Sequence, residues 1–318
     1  MLTLQNVRDA RERLLGYIKE TPLLRAERMD GPLGCQTWLK PENLQLTGSF
    51  KIRGALSKML SLTDEERARG IIASSSGNHA QGVAYAARLL KVKAVLVLPE
   101  NAPRNKIEGC RDMGAEVVLH GFDSIQRYKR LYEIQAAKGY TLVHSYNDLD
   151  LIAGQGTAGY EIMQALPDAD VVVVPLGGGG LMAGVAIAVK ESNPKTRVIG
   201  VEPTAIPRYS ASRAAGHPVE VPIQPTVADG LMINKTGEHV YPIVEKYVDD
   251  LVTVDDEHIV SALKLILMEA RLLVEPSAAI GVAAALAGKL GLRPRDKVCF
   301  LLTGGNIDYE RLLELLHA

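Results

Sequence analysis

A chain of 318 residues, 47% hydrophobic and 23% charged, lies in the ordinary globular range and is long enough for one large domain or two smaller ones. Its formal net charge of -1 gives no basic footprint for nucleic acid, and apolar runs such as 171–174 are too short to span a bilayer. The start of the chain lacks the continuous apolar core of a secretory signal, so the cytoplasm is the expected location. Cys35, Cys110 and Cys299 are scattered without a CxxC pair, which predicts buried free thiols and neither a disulfide framework nor a zinc site.

Taken in chain order, hydrophobic patterning predicts a strand at 70–73, a helix at 80–90, a strand at 94–98, a helix at 105–113, a strand at 116–119 and a helix at 125–138. The alternation resumes with a strand at 170–175, a helix at 181–191 and a strand at 197–201, and closes with a helix at 256–273 and a strand at 298–302. Short β-branched strands alternating with amphipathic helices specify an α/β protein with mostly parallel sheets. Residues 205–234 carry several prolines, a glycine turn and little periodicity, which predicts a long irregular excursion over the surface. No low-complexity linker or internal repeat divides the chain, so two lobes are expected with more than one crossing between them.

The buried strand ending at Pro175 runs through Leu176 into four consecutive glycines, Gly177, Gly178, Gly179 and Gly180, and then into a helix from Leu181. Glycines let backbone N–H groups close round a phosphate, and the helix N-terminus adds its positive dipole. A flexible strand-to-helix turn is the plainer reading of the same residues. No Gly-Lys-Ser/Thr follows, which excludes a Walker A loop. Gly178, Gly180 and Ala183 also satisfy G-x-G-x-x-A, and Glu202 ends the next strand where a ribose-binding acid would stand. Taken alone, that segment supports an NAD-dependent dehydrogenase.

A second turn follows the strand at 70–73 and is rich in hydroxyl and amide groups. Ser74, Ser75, Ser76, Asn78 and the N–H groups of the following helix suit a small carboxylate, although ordinary N-capping explains the same side chains. Upstream, Lys51 lies between Phe50 and Ile52 just past Gly48 and Ser49. Desolvation lowers a lysine pKa and leaves the nucleophilic neutral amine that an aldehyde cofactor requires. A lone lysine is far more often a solvated surface charge.

Together these segments resemble the fold-type II pyridoxal 5′-phosphate (PLP) enzymes of the serine/threonine dehydratase and serine racemase group, from about Thr21 to the C-terminus. The resemblance implies an α/β, tryptophan synthase β-like fold of two lobes, each with a mostly parallel twisted sheet flanked by helices. Residues 48–55 are similar to the group's lysine motif, which implies Lys51 as the Schiff-base residue and Phe50 as the ring packed against the pyridine. Residues 75–82 resemble its substrate loop, implying Asn78 at the cofactor 3′-oxygen and Ser75, Ser76 and His79 facing the substrate carboxylate. Gly177, Gly178, Gly179 and Gly180 with Leu181 resemble the phosphate cradle, and Thr303 stands at the strand end beside the pyridine nitrogen, where most members carry serine. Segments 153–157, 228–230 and 275–279 match further recurrent stretches of the group. A dehydrogenase has no use for the lysine motif and the Ser-Gly-Asn-His loop together, so it falls to a minor alternative.

The activity implied is β-elimination of water from a small β-hydroxy amino acid, L-threonine or L-serine, to give 2-oxobutyrate or pyruvate and ammonia, with Lys51 as general base. Ser76 keeps serine racemisation open, because racemases of this group carry serine there whereas many dehydratases carry alanine. Arg127 stands where racemase-like members carry a carboxylate-binding arginine, against the plainer reading of a solvated charge. Dehydration of 3-hydroxyaspartate or phenylserine also stays open. The racemases' divalent-metal site needs a glutamate and an aspartate six residues later; this chain has Glu202 but Arg208, so no metal is expected. The chain stops shortly after Asn306 without the C-terminal regulatory domain of feedback-regulated members, which implies a short, degradative type. A homodimer or homotetramer is implied, with residues 1–66 and 149–318 as the large cofactor-binding lobe and 67–148 as the small mobile lobe carrying the substrate loop.

Overall fold

The computed structural model describes residues 2–75, 77–102 and 104–317. Its strands are β1 (Leu24–Arg25), β2 (Gln36–Pro41), β3 (Ile71–Ser74), β4 (Ala94–Leu98), β5 (Glu116–Leu119), β6 (Thr141–Leu142), β7 (Val171–Pro175), β8 (Arg197–Pro203), β9 (Asp250–Val254) and β10 (Lys297–Leu302). A six-stranded sheet runs β1-β2-β10-β7-β8-β9 and is parallel except for the antiparallel β1 and β2 pair. A four-stranded sheet runs β5-β4-β3-β6 and is parallel throughout. The α/β architecture implied by the alternating pattern is the one observed.

Parallel strands covered by helices on both faces are apolar at every position. In β7, Val172 and Val174 enter the core on one face of the large sheet while Val171 and Val173 enter the core on the other. In the smaller sheet Leu96 and Leu98 of β4 divide in the same way from Val95 and Val97. The chain lays down β1 and β2 in the large sheet and crosses by the helix Lys51–Ser61 into the small one. It returns by the helix Leu149–Ala165, whose start is capped by the Asp148 carboxylate accepting from Leu151 N–H at 3.0 Å. No helix among the described residues is long and apolar enough to cross a membrane.

Two expectations need correction. The stretch 205–234 is not irregular throughout, because a helix forms at Arg208–Ala215, where Arg208, Tyr209 and Ser212 are buried and tertiary packing outweighs the weak local periodicity. The helix expected at 256–273 runs as an α-helix only through Asp256–Leu265, passes into a π-helical turn at Ile266–Ala270, and stops at Arg271 in the left-handed region with φ 59°. β1, β2, β6 and β9 lack a predicted counterpart, β1 and β6 being only two residues long. β2 carries Gln36, Thr37 and Lys40 in place of a β-branched run, and β9 is a half-buried edge strand opening on Asp250.

Beneath the start of the Lys51–Ser61 helix lies a fully buried charge network. Arg53 Nε and Nη2 donate to the Glu42 carboxylate at 2.7 and 2.8 Å, and Nη1 and Nη2 donate to Glu161 at 2.7 and 2.8 Å. Lys40 Nζ of β2 donates to Glu161 and to the Thr21 carbonyl. Two cations therefore face two carboxylates, and the Arg53 fork keeps both below the cost of an isolated buried charge. Replacing Arg53 by methionine leaves Lys40 alone against both carboxylates. Arg53→Met is expected to destabilise the protein by about 3–5 kcal/mol, measured as a shift of the urea unfolding midpoint; a loss under about 1 kcal/mol contradicts a structural role for the network.

Candidate active site

The Lys51–Ser61 helix begins against the end of β10. Gly48, at φ 67°, turns the chain so that Phe50 N–H donates to the Thr303 carbonyl at 3.0 Å and Gly305 N–H donates to the Gly48 carbonyl at 2.9 Å. Lys51 is the first residue of that helix; its Nζ donates to the Ser145 carbonyl at 3.3 Å and lies 5.1 Å from the centre of the Phe50 ring. Burial pulls the Lys51 ammonium down to about 8, against the opposing pull of Glu275. Burial also pushes Glu275 up to about 7. The site thus holds an amine and a carboxyl that both change charge near neutrality, and such pairs mark places where chemistry is done.

The loop after β3 meets this lysine from the small sheet. Asn78 opens the helix Asn78–Leu90; its Nδ2 donates to both Glu275 carboxylate oxygens at 2.8 and 3.0 Å, and its Oδ1 accepts from Asn306 Nδ2 at 2.8 Å. Ser75 is half-buried, and its Oγ accepts from Gly77 N–H at 3.2 Å. His79 lies buried with Nε2 on the Val143 carbonyl at 2.9 Å, and burial pulls its imidazole down to about 3, so the ring is neutral. His144 is likewise lowered to about 4, chiefly by burial. Ser76, expected to face the substrate, lies outside the described residues. Arg127 sits half-buried on the helix Ser124–Lys138 with no partner for its buried Nε among the described residues. The next residue, Tyr128, stacks on His144 at 5.7 Å between ring centres.

The glycine turn lies between β7 and the helix Gly180–Ser192. Among the described residues, no backbone N–H from Gly177 through Leu181 donates to an acceptor of the chain. A row of free N–H groups at a helix start is what binds an anion. The turn is close to Lys51 through one short segment, since Ser145 accepts the lysine while Tyr146 covers the glycines: a Cβ on Gly178 would fall 2.3 Å from Tyr146 Cδ1. Leu181 is buried in the first turn of the helix. Thr303 is buried at the end of β10, next to the Gly304 carbonyl that accepts from Glu275 N–H at 3.0 Å.

The dinucleotide alternative does not survive this geometry. Glu202, the acid it would place on a ribose, is buried at the end of β8 with one oxygen on Tyr209 N–H at 2.8 Å and the other on Ser210 N–H at 2.9 Å. Arg208 Nη1 stands 3.9 Å from the same carboxylate.

The residues present suit a phosphorylated aldehyde. The free N–H row receives a phosphate, the low-pKa amine receives a carbonyl carbon, and Ser49 Oγ, Ser74 Oγ and His79 Nδ1 are buried without partners among the described residues. Glu275, Asn306 and Tyr146 belong to this constellation and are absent from the sequence-derived site. Glu275 and Asn306 lie in or beside segments that match the family's recurrent stretches, whereas Tyr146 carries no local signal, because only the crossing of the chain between sheets brings it to the glycines.

The sequence pattern of the family described as pyridoxal-phosphate dependent enzyme matches residues 14–304. An L-threonine ammonia-lyase of Thermotoga maritima is 43% identical over 317 residues, covering 100% of this chain and 79% of that protein. Among solved structures, a threonine deaminase from T.th. aligns with a TM-score of 0.92 at 42% identity, covering 97% of this chain and 99% of that one. Maize serine racemase aligns with a TM-score of 0.94 at 35% identity, covering 99% and 97%.

The lowered lysine makes a direct expectation. In cofactor-free protein, labelling of Lys51 by trinitrobenzenesulfonate should rise with a midpoint at about 8, because the reactive neutral amine appears there and not at the ordinary 10.5. Peptide mapping of the label across pH reads the midpoint, and an unshifted one contradicts the desolvated amine.

Proposed function

The chain belongs to the family of pyridoxal-phosphate dependent enzymes, and from that premise we propose that it is an ammonia-lyase that dehydrates L-threonine and L-serine to 2-oxobutyrate and pyruvate. The observation that carries this reading is the Lys51 amine, brought down to about 8 at the mouth of a helix that also meets the Asn78 loop and Glu275. Similarity to the Thermotoga maritima L-threonine ammonia-lyase over the whole chain supports the same substrate class. Similarity to maize serine racemase, together with Ser76, supports a second reading in which the α-carbon is also reprotonated on the opposite face.

PLP, when bound, supplies the electron sink for negative charge at the substrate α-carbon. The free N–H groups of Gly177, Gly178, Gly179, Gly180 and Leu181 would hold its phosphate, Phe50 would pack on its ring, Asn78 would bond its 3′-oxygen and Thr303 would offer the ring nitrogen a hydroxyl. A hydroxyl there, in place of a carboxylate, would not require that nitrogen to be protonated, and a long-lived carbanion would be less favoured than elimination. Ser75, Ser76, Asn78 and His79, with the N–H groups at the start of the helix Asn78–Leu90, would receive the substrate carboxylate, and Arg127 would add a desolvated positive charge from the neighbouring helix. Lys51 Nζ, neutral once deprotonated, removes the α-proton and returns a proton to the departing β-hydroxyl. The unsaturated amine that leaves takes up water to give the 2-oxo acid and ammonia. Residues 67–148 act as the mobile lobe that closes over substrate on the large lobe formed by 1–66 and 149–318. The proposed enzyme is a homodimer or homotetramer in the cytoplasm.

The test is release of 2-oxo acid from L-threonine and L-serine by PLP-loaded protein, with D-serine assayed in the same tubes. Rapid 2-oxobutyrate or pyruvate is expected, and Lys51→Ala should lower it roughly a thousandfold or more. Formation of D-serine without oxo acid establishes the racemase instead. Turnover of 3-hydroxyaspartate or phenylserine alone moves the assignment to those substrates.

A further inference from the structure

The carbonyls of the glycine turn are held from behind by two consecutive side chains. Arg208 Nη2 donates to the Leu176 carbonyl, Arg208 Nε donates to the Gly177 carbonyl at 2.9 Å, and Tyr209 Oη donates to the Gly178 carbonyl at 2.9 Å. A trans peptide unit carries the carbonyl of one residue and the N–H of the next on opposite sides. Drawing three successive carbonyls toward Arg208 and Tyr209 therefore turns the N–H groups of Gly177, Gly178 and Gly179 to the other side as a set. Those are the groups without an acceptor among the described residues. Gly179 fits this arrangement at φ 91°, where a Cβ would fall 2.0 Å from Tyr209 Oη.

The clamp is itself fixed from the neighbouring strand. β8 lies beside β7 with Val201 opposite Pro175, and its Glu202 carboxylate accepts the N–H groups of Tyr209 and Ser210 at 2.8 and 2.9 Å. That carboxylate caps the first turn of the Arg208–Ala215 helix and so sets where Arg208 and Tyr209 stand. Arg208 is fully buried and also donates Nη1 to the Ile206 carbonyl at 2.7 Å. A buried guanidinium spread over three main-chain carbonyls serves a geometry that packing alone does not require, since an apolar side chain of that volume would avoid the desolvation.

We propose that Arg208 and Tyr209 are positioning residues that hold the glycine turn in its phosphate-binding form by fixing its carbonyls from the side away from the ligand. Neither residue touches the phosphate. Their effect is preorganisation: the N–H groups are aimed before the anion arrives, so binding does not have to order them. Lysine at 208 keeps a charge for Glu202 but lacks the fork that reaches several carbonyls at once, so it does not replace arginine.

This inference rests on the cofactor reading above, and its test separates the two. Cofactor-free wild-type, Arg208→Lys, Arg208→Met and Tyr209→Phe proteins are titrated with PLP and with pyridoxal, which has the aldehyde but no phosphate, and bound aldehyde is followed by absorbance. The preference for PLP over pyridoxal is expected to fall about tenfold in both Arg208 variants and about fivefold in Tyr209→Phe. Pyridoxal binding should be retained, because Lys51 is untouched. If Arg208→Met does not fold for want of a partner for Glu202, Arg208→Lys and Tyr209→Phe decide, since both spare that charge. An unchanged preference in these two, or an equal loss for both aldehydes, overturns the clamp. Wild-type protein that takes up neither aldehyde overturns the cofactor reading and the clamp with it.

Discussion

Burial pulls the Lys51 ammonium down to about 8, and a side chain desolvated in this way has to be kept from swinging back to water. The buried network of Arg53, Glu42, Glu161 and Lys40 meets that requirement two residues from Lys51, by tying the first turn of its helix to β2 and to the helix Leu149–Ala165. Those two anchors lie on either side of the chain's excursion into the small sheet. The same charges thus hold the lysine in place and join the segments through which the chain leaves and re-enters the large sheet. An ion cluster inside a protein is weak evidence for added stability, and its effect here is better described as a fixed position for the helix start.

Around that fixed amine stand two strand-to-helix turns. One is glycine-rich and keeps a row of N–H groups open; the other carries Ser75 and Asn78 at the start of the helix Asn78–Leu90. They come from different sheets, and the segment containing His144, Ser145 and Tyr146 joins them, touching the lysine with one residue and the glycines with the next. Both imidazoles nearby are neutral, burial having pulled them down to about 3 and about 4. Glu275 sits opposite the lysine with its carboxyl pushed to about 7 and bound to Asn78.

Much of this was legible in the amino-acid order, where the determinants are local. The apolar strand running into Gly177 through Gly180 carries its own meaning, because strand, turn and helix dipole are contiguous. β7, β8 and β10 are equally plain, since strands buried on both faces have few polar positions to confuse the pattern. Lys51 is different. Its flanks, Phe50 and Ile52, suit a surface helix as well as a cleft, and only the resemblance of the surrounding motif singled it out. Tyr146, Asn306 and the Arg208 clamp depend on contacts between segments far apart in the chain, which periodicity does not encode. The helix at Arg208–Ala215 was hidden for the same reason, being held by Glu202 from the end of β8.

The most direct measurement is borohydride reduction of the PLP-loaded protein followed by peptide mapping. A pyridoxyl mass on the peptide containing Lys51, and on no other lysine in stoichiometric amount, is the expected result. Stable labelling at a different lysine, with Lys51 unmodified, would contradict the placement of the cofactor and everything assigned to the residues around it.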